Sequence, residues 1–376
     1  MLSGGGARAA YQVGFLRLLA REFPDVVPDI LTGVSAGGIN AAYLAARQRP
    51  FAERVENLAE VWGGIRIDNV FSARVGDLAW RVLRWGGRLM SGGKYPLPPA
   101  RSMVDTDPLR ELLERLLETN NAGIGIPGIS RSLQAGWLRA IALTASSYTT
   151  GQSITWVQTR DDCGIETWQR PQRKSATCPL RVDHVMASCA LPFLFPAIEV
   201  DGAWYGDGGI RLTSPLSPAV HLGARRIIAV STRYARSREE ADLPSVKGYP
   251  PPVQVAGVLY NAVFLDQLDG DALQMQQINR LVAELPEAQR GGLRHIDLLM
   301  LRPSRDLGRL ANEYEPELPR AFRFLTRGLG TRETRTNDLL SLVMFQGDYV
   351  KRLIELGEAD AAARISEIRR FLSEDP

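Results

Sequence analysis

An α/β fold is predicted for this chain by three stretches of the sequence. Asp29-Ile30-Leu31-Thr32 is short and apolar enough for a strand, and Ala36 to Gln48, alanine-rich and free of proline, reads as a helix directly after it. The glycine-rich run Ser3-Gly4-Gly5-Gly6-Ala7-Arg8-Ala9 opens a second helix, Ala10 to Phe23, with Val13, Leu16, Ala20 and Phe23 on one face. Arg226 to Thr232 carries Ile227-Ile228-Ala229-Val230, the pattern of a buried strand. A chain of 376 residues has room for one large domain of this kind or two smaller ones.

The first two stretches also carry chemistry. Strand and helix at 29–48 meet in Gly33-Val34-Ser35-Ala36-Gly37, a Gly-x-Ser-x-Gly turn that projects a hydroxyl at a helix N-terminus. The glycines at 33 and 37 allow the turn, because a Cβ at either place would crowd the neighbouring chain. Bare N–H groups in the loop at 4–6 suit an anion, and two readings follow. As a dinucleotide fingerprint, Gly4-x-Gly6-x-x-Ala9 fits, but Asp25 stands before the next strand rather than at its end. As an oxyanion hole, the loop faces Ser35 from an adjacent strand end; this reading uses both motifs and is preferred.

Further along, Glu53 to Trp62 is an amphipathic helix. Asp77 to Met90 combines Leu78, Val82, Trp85 and Leu89 with a stripe of Arg81, Arg84 and Arg88, which suits either a membrane surface or packing on its own domain. Residues 91–101 read as a loop, Thr106 and Pro108 start a leucine-rich helix, and 120–132 read as a loop. Residues 137–147 and 152–159 are strands joined through Thr149-Thr150-Gly151. Val182 to Ser188 is a short helix, and Ile198 to Tyr205 turns at Asp201-Gly202 to deliver Asp207-Gly208-Gly209. Asp207 is either ordinary turn chemistry or a carboxylate beside the serine. After a charged, proline-bearing linker at 236–252, helices are expected over 253–268, 272–285, 339–356 and 358–372, with one strand at 295–301.

Composition narrows the function class. With 45% hydrophobic and 23% charged residues the chain is an ordinary globular protein, and its net charge of +3 does not point to nucleic acid. No apolar run approaches the ~20 residues that span a bilayer. Met1 and Leu2 lead straight to the glycines with no signal-peptide core, so a cytoplasmic location is expected. Cys163, Cys178 and Cys189 suit a reducing compartment. No metal-ligand spacing occurs, and neither a metal nor a cofactor is expected.

Gly4-Gly5-Gly6-Ala7-Arg8-Ala9, Gly33-Val34-Ser35-Ala36-Gly37 and Asp207-Gly208-Gly209, in this order, resemble the patatin-like phospholipase family in its bacterial form. Ala187-Ser188-Cys189-Ala190-Leu191-Pro192 is similar to a further stretch of that family, and the resemblance covers residues 2–235. It implies a three-layer α/β/α sandwich with a mostly parallel central sheet, followed over 236–376 by a helical extension packed on it. It also implies hydrolysis of carboxylic esters of phospholipids or other acyl lipids, with Ser35 as nucleophile and Asp207 as base. Gly4, Gly5, Gly6 and Arg8 would form the oxyanion hole, with steering of the loop or a structural role equally open for Arg8. Only Met1 to Ser3 precede the glycines where the family has a full strand, so either the chain starts late or the first strand is shortened, and Thr213 stands where the family often has asparagine.

Other readings stay open. A Ser-His-Asp α/β-hydrolase needs a histidine after the acid, and His221 and His295 are available, although both, like His184, read as structural or surface residues. Cys189 has no paired histidine and reads as core. A non-catalytic protein binding nucleotide or lipid through the glycine loop is the remaining alternative.

Overall fold

The computed structural model describes residues 1–72, 102–119, 125–160, 163–244, 246, 248–318, 323, 331, 334 and 336–373. The expected basic helix at 77–90 and the loop at 91–101 lie outside the described residues. Both expected N-terminal helices form. Ala10–Glu22 (α1) buries Tyr11, Phe15 and Leu19 and leaves Arg21 and Glu22 exposed. Ile30–Val34 (β1) runs into Ala36–Ala46 (α2), which is buried almost all round because α3 (Phe51–Gly63) and the sheet enclose it.

The leucine-rich helix α4 spans Asp107–Leu116, but Thr106 makes no side-chain cap; the Asp105 carboxylate accepts the Asp107 N–H instead. Within the stretch expected as a loop, Pro127–Gln134 folds as α5. Proline suits its first turn, and Ile129 and Leu133, one turn apart, are buried beside Ile126.

The strands β2 (Ala140–Ser147) and β3 (Ser153–Thr159) pair antiparallel across the expected turn. Two short strands were not legible: β4 (Gln169–Arg170), exposed, and β5 (Arg173–Thr177), mostly half-buried, are polar and lack the apolar alternation that marks a strand. After α6 (Val182–Cys189) come β6 (Ile198–Val200) and β7 (Ala203–Asp207), joined by Asp201 and Gly202, both at positive φ as a tight hairpin turn requires. The last strands are β8 (Arg226–Val230) and β9 (Asp297–Leu301).

The sheet is mixed rather than mostly parallel. β1–β2, β3–β5 and β8–β9 are parallel, whereas β2–β3, β2–β7, β4–β5 and β6–β7 are antiparallel. Tight turns account for β2–β3, β4–β5 and β6–β7, because a hairpin can only return the chain antiparallel, whereas β2–β7 joins strands distant in sequence. In place of a first strand there is a single bridging residue. Leu2 bridges in parallel to Gly33 on one side and Val230 on the other, with its N–H donated to the Thr32 carbonyl at 2.8 Å.

Both faces of the sheet are covered. Along β2, Ile141, Leu143 and Ala145 enter the main core, while Ala140 and Ala142 face a smaller cluster with Val157 and Leu222. On β8, Ile227 and Ala229 pack with Leu268, Ala272 and Met275. The residues after 235 supply β9, the helix α7 (Pro252–Phe264), the unexpected helix α8 (Leu307–Tyr314), and a helical end broken into α9 (Asp338–Val343) and α10 (Gly347–Ala363). The break at 344–346 buries Met344 and Phe345, which a continuous helix would turn elsewhere.

α10 crosses α1 at reciprocal glycines. A Cβ on Gly14 would lie 1.9 Å from the Ile354 carbonyl oxygen, and one on Gly357 2.0 Å from that of Tyr11, so the backbones touch where side chains would stand. Gly14→Ala and Gly357→Ala are each expected to destabilise the protein by about 1–3 kcal/mol through overpacking. The measurement is the urea midpoint at constant slope; unshifted midpoints in both variants would contradict this packing.

Candidate active site

Ser35 sits where β1 becomes α2, at φ 54° and ψ −136°, a conformation that costs a non-glycine residue ~1–3 kcal/mol. The neighbouring glycines make the turn possible. A Cβ on Gly33 would meet the Gly37 carbonyl oxygen at 2.6 Å, and one on Gly37 the carbonyl oxygens of Leu2 and Ser3 at 2.3 Å. The Ser35 N–H is donated to Ser188 Oγ (2.9 Å), whose own hydroxyl donates to the Thr144 carbonyl (2.7 Å). Ser188 thus ties the turn to β2. Sequence reasoning noted its motif but not this task, which no spacing rule reveals.

Asp207 closes β7. Its Oδ2 accepts the Ser35 hydroxyl at 2.6 Å and its Oδ1 the Gly209 N–H at 2.8 Å. The pairing of strands makes this meeting possible: Val34 lies opposite Thr144 and Asp207 opposite Ala145, so consecutive residues of β2 set the two side chains. A Cβ on Gly208 would lie 2.1 Å from the Thr144 carbonyl oxygen, which reserves that position for glycine. The carboxyl is fully buried. Desolvation raises its pKa to about 7, against the lowering effect of the bonds from Ser35 and Gly209.

The glycine loop passes directly beside the serine: a Cβ on Gly4 would lie 3.1 Å from Ser35 Cβ and 3.8 Å from its Oγ. Gly5 (φ 152°) and Gly6 (φ 54°) adopt backbone conformations that L side chains rarely adopt. Thr232 Oγ donates to the Gly4 carbonyl at 2.6 Å. Among the described residues no backbone group accepts the N–H of Gly5 or Gly6, and a helical turn begins at Gly6, so the loop presents positive dipole ends. The Arg8 side chain is only 3% exposed and is committed to Ser341 Oγ (2.7 Å) and to the Asp338 carboxylate (2.7 Å) and carbonyl (3.1 Å). Of its open roles, the arrangement matches the structural one.

A narrow apolar cavity of about 40 Å³ leads from Gly6 and Ser35 between Ile39, Leu58, Trp62, Leu112, Leu116 and Phe195. A larger cavity of about 390 Å³ lies at the opposite, N-terminal ends of β1 and β8, away from Ser35. None of the three histidines touches the serine. His184 packs on Trp156, His221 stacks on Trp168 at 4.5 Å, and His295 faces Asp297. Burial and the nearby Asp207 push the Cys189 thiol well above its ordinary pKa, which disfavours a nucleophilic thiolate. Asp25 lies in the turn before β1, so the acidic partner of a dinucleotide site is missing where that motif needs it.

Fold and site define an α/β protein whose elbow serine is hydrogen-bonded to an aspartate and to no histidine. A family model described as patatin-like phospholipase matches residues 1–220, and the chain belongs to that family. No curated protein matches it. Among solved structures it is similar to VipD from Legionella pneumophila, at 13% identity over 94% of this chain and 66% of that one, with a TM-score of 0.33.

The raised Asp207 pKa has a consequence for stability. Below pH ~4 the carboxyl is protonated in the folded and unfolded chains alike. Between pH ~4 and the folded value of about 7 only the folded chain holds the proton, so stability falls as pH rises and levels off above that. The full effect is about 4 kcal/mol. In Asp207→Asn this slope is expected to vanish. The variant's gain over wild type in denaturant unfolding should therefore grow from pH 4.5 to pH 8, and a pH-independent difference would contradict the buried-acid assignment.

Proposed function

We propose that the protein is a serine lipid acyl hydrolase that cleaves carboxylic esters of phospholipids or other acyl lipids through an acyl-enzyme, and that residues 1–235 carry the chemistry. The observation that carries the reading is the 2.6 Å hydrogen bond from Ser35 Oγ to the buried Asp207 carboxylate.

In this reading Asp207 takes the hydroxyl proton as Ser35 Oγ attacks the ester carbonyl carbon. An aspartate with an ordinary pKa near 4 is a weak base for this step, whereas one near 7 is matched to neutral pH. The carbonyl oxygen becomes an oxyanion against the free N–H groups of Gly5 and Gly6; one such donor is worth roughly 3–4 kcal/mol in comparable sites. Collapse of the intermediate expels the alcohol, which takes the proton from Asp207, and leaves the acyl group on Ser35. Water activated by the same carboxylate then releases the acid. The apolar lining beside Ser35 favours a hydrocarbon tail over polar groups, although at about 40 Å³ the cavity has to widen to take more than the first carbons of an acyl chain. Among the described residues no helix is long and apolar enough to cross a membrane.

A fluorophosphonate probe is expected to label the wild-type protein and not Ser35→Ala; equal labelling of both sinks the reading. kcat/KM for an acyl ester should rise with pH to a plateau above about 7. Asp207→Asn should lose about 10²–10⁴-fold in turnover. His221→Ala and His295→Ala should retain it, and a collapse at either would favour a histidine triad.

A further inference from the structure

The segment after residue 336 reaches the glycine loop from behind. Leu342 presents its carbonyl oxygen where a Cβ on Gly6 would stand, 2.1 Å away, so α9 is the wall against which this turn is folded. Arg8, at the end of the turn, is held from the same helix by Ser341 and twice by Asp338. Ser341 Oγ is in turn 2.6 Å from Tyr349 Oη, which donates to the Leu307 carbonyl.

Asp338 makes a second connection. Its Oδ2 accepts from Asn261 Nδ2 of α7 at 2.6 Å. That helix lies over the other half of the site: Phe264 occupies the space a Cβ on Gly209 would need, and Tyr260 donates to the Pro192 carbonyl. One carboxylate therefore joins the loop beside Ser35 to the helix packed on the Asp207–Gly209 turn. Gly5 and Gly6 have the widest backbone freedom of any residue type, and fixing them requires contacts from outside the loop.

We infer that Asp338, acting through Arg8 with Ser341, is the positioning residue of the oxyanion hole: it sets where the Gly5 and Gly6 N–H groups point. This rests on the hydrolase reading proposed above. The helical C-terminal part is then a working part of the site. Arg8 contributes orientation, with its guanidinium committed to Ser341 and Asp338.

The signature of such a residue is a loss confined to the transition state, since an oxyanion contact strengthens only as charge develops. The test uses full-length protein and a p-nitrophenyl acyl ester, comparing wild type, Ser35→Ala, Asp338→Asn and Ser341→Ala. Asp338→Asn is expected to lower kcat at least tenfold with KM within twofold of wild type and with the midpoint of the pH profile unmoved. Its Ki for an alkyl trifluoromethyl ketone, which forms an oxyanion on Ser35, should rise by the same factor, while inhibition by the product fatty acid should not change. Ser341→Ala should show the same pattern at several-fold, and it decides the matter by these criteria if Asp338→Asn does not fold. An unchanged kcat, or a change in KM alone, overturns the inference with the hydrolase reading intact. Equal activity of wild type and Ser35→Ala overturns both.

Discussion

A carboxylate kept out of water is the constraint on which the rest of this structure depends. Asp207 is fully buried and holds Ser35 at 2.6 Å, yet among the described residues no cation pairs with it to offset the cost of its charge. Among those residues two donors, one hydroxyl and one peptide N–H, face its oxygens. Such a group is tolerated because the surrounding backbone is fixed from several directions. β2 sets the spacing of the two turns through Thr144 and Ala145, Ser188 laces the serine turn to β2, and Phe264 closes over Gly209. The fold spends rigidity to hold a poorly solvated acid where its proton affinity is raised.

The glycines of the site are explained by neighbours more than by flexibility. Gly37 gives room to the carbonyls of Leu2 and Ser3, Gly6 to that of Leu342, and Gly208 to that of Thr144. In each case a backbone oxygen from a distant part of the chain occupies the space of the missing side chain. The same device recurs away from the site, where Gly14 and Gly357 let α1 and α10 meet. Motif and packing are one phenomenon here: close approach of main chains, with side chains omitted where they would intervene.

This explains what is legible in the sequence. Ser35 and Asp207 can be read because their turns demand glycines at fixed offsets, and β1, β2 and β8 because buried strands are continuous apolar runs. β4 and β5 are hidden by polar side chains, and α5 by the polar residues around Ile129 and Leu133. Ser188, Asp338 and Ser341 are unreadable for a different reason. A serine or aspartate on a helix carries no mark of the partner it meets, and Asp338 lies 330 positions from Arg8. The parallel character expected of the sheet holds through Leu2, β1 and β8 and fails where hairpins return the chain at once.

That separation has a consequence for how the molecule comes into being. During synthesis Leu2 must wait for Val230, and Arg8 for Asp338 and Ser341. At ~5–20 residues per second, translation of the intervening 330 positions takes roughly 15–70 s. Throughout that interval Gly6 lacks the wall that the Leu342 carbonyl provides. A nascent chain can carry Ser35 and even Asp207 clear of the ribosome and still hold an unassembled site. Completion of the site therefore has to follow synthesis of residues 338–342, long after the serine turn itself has been made.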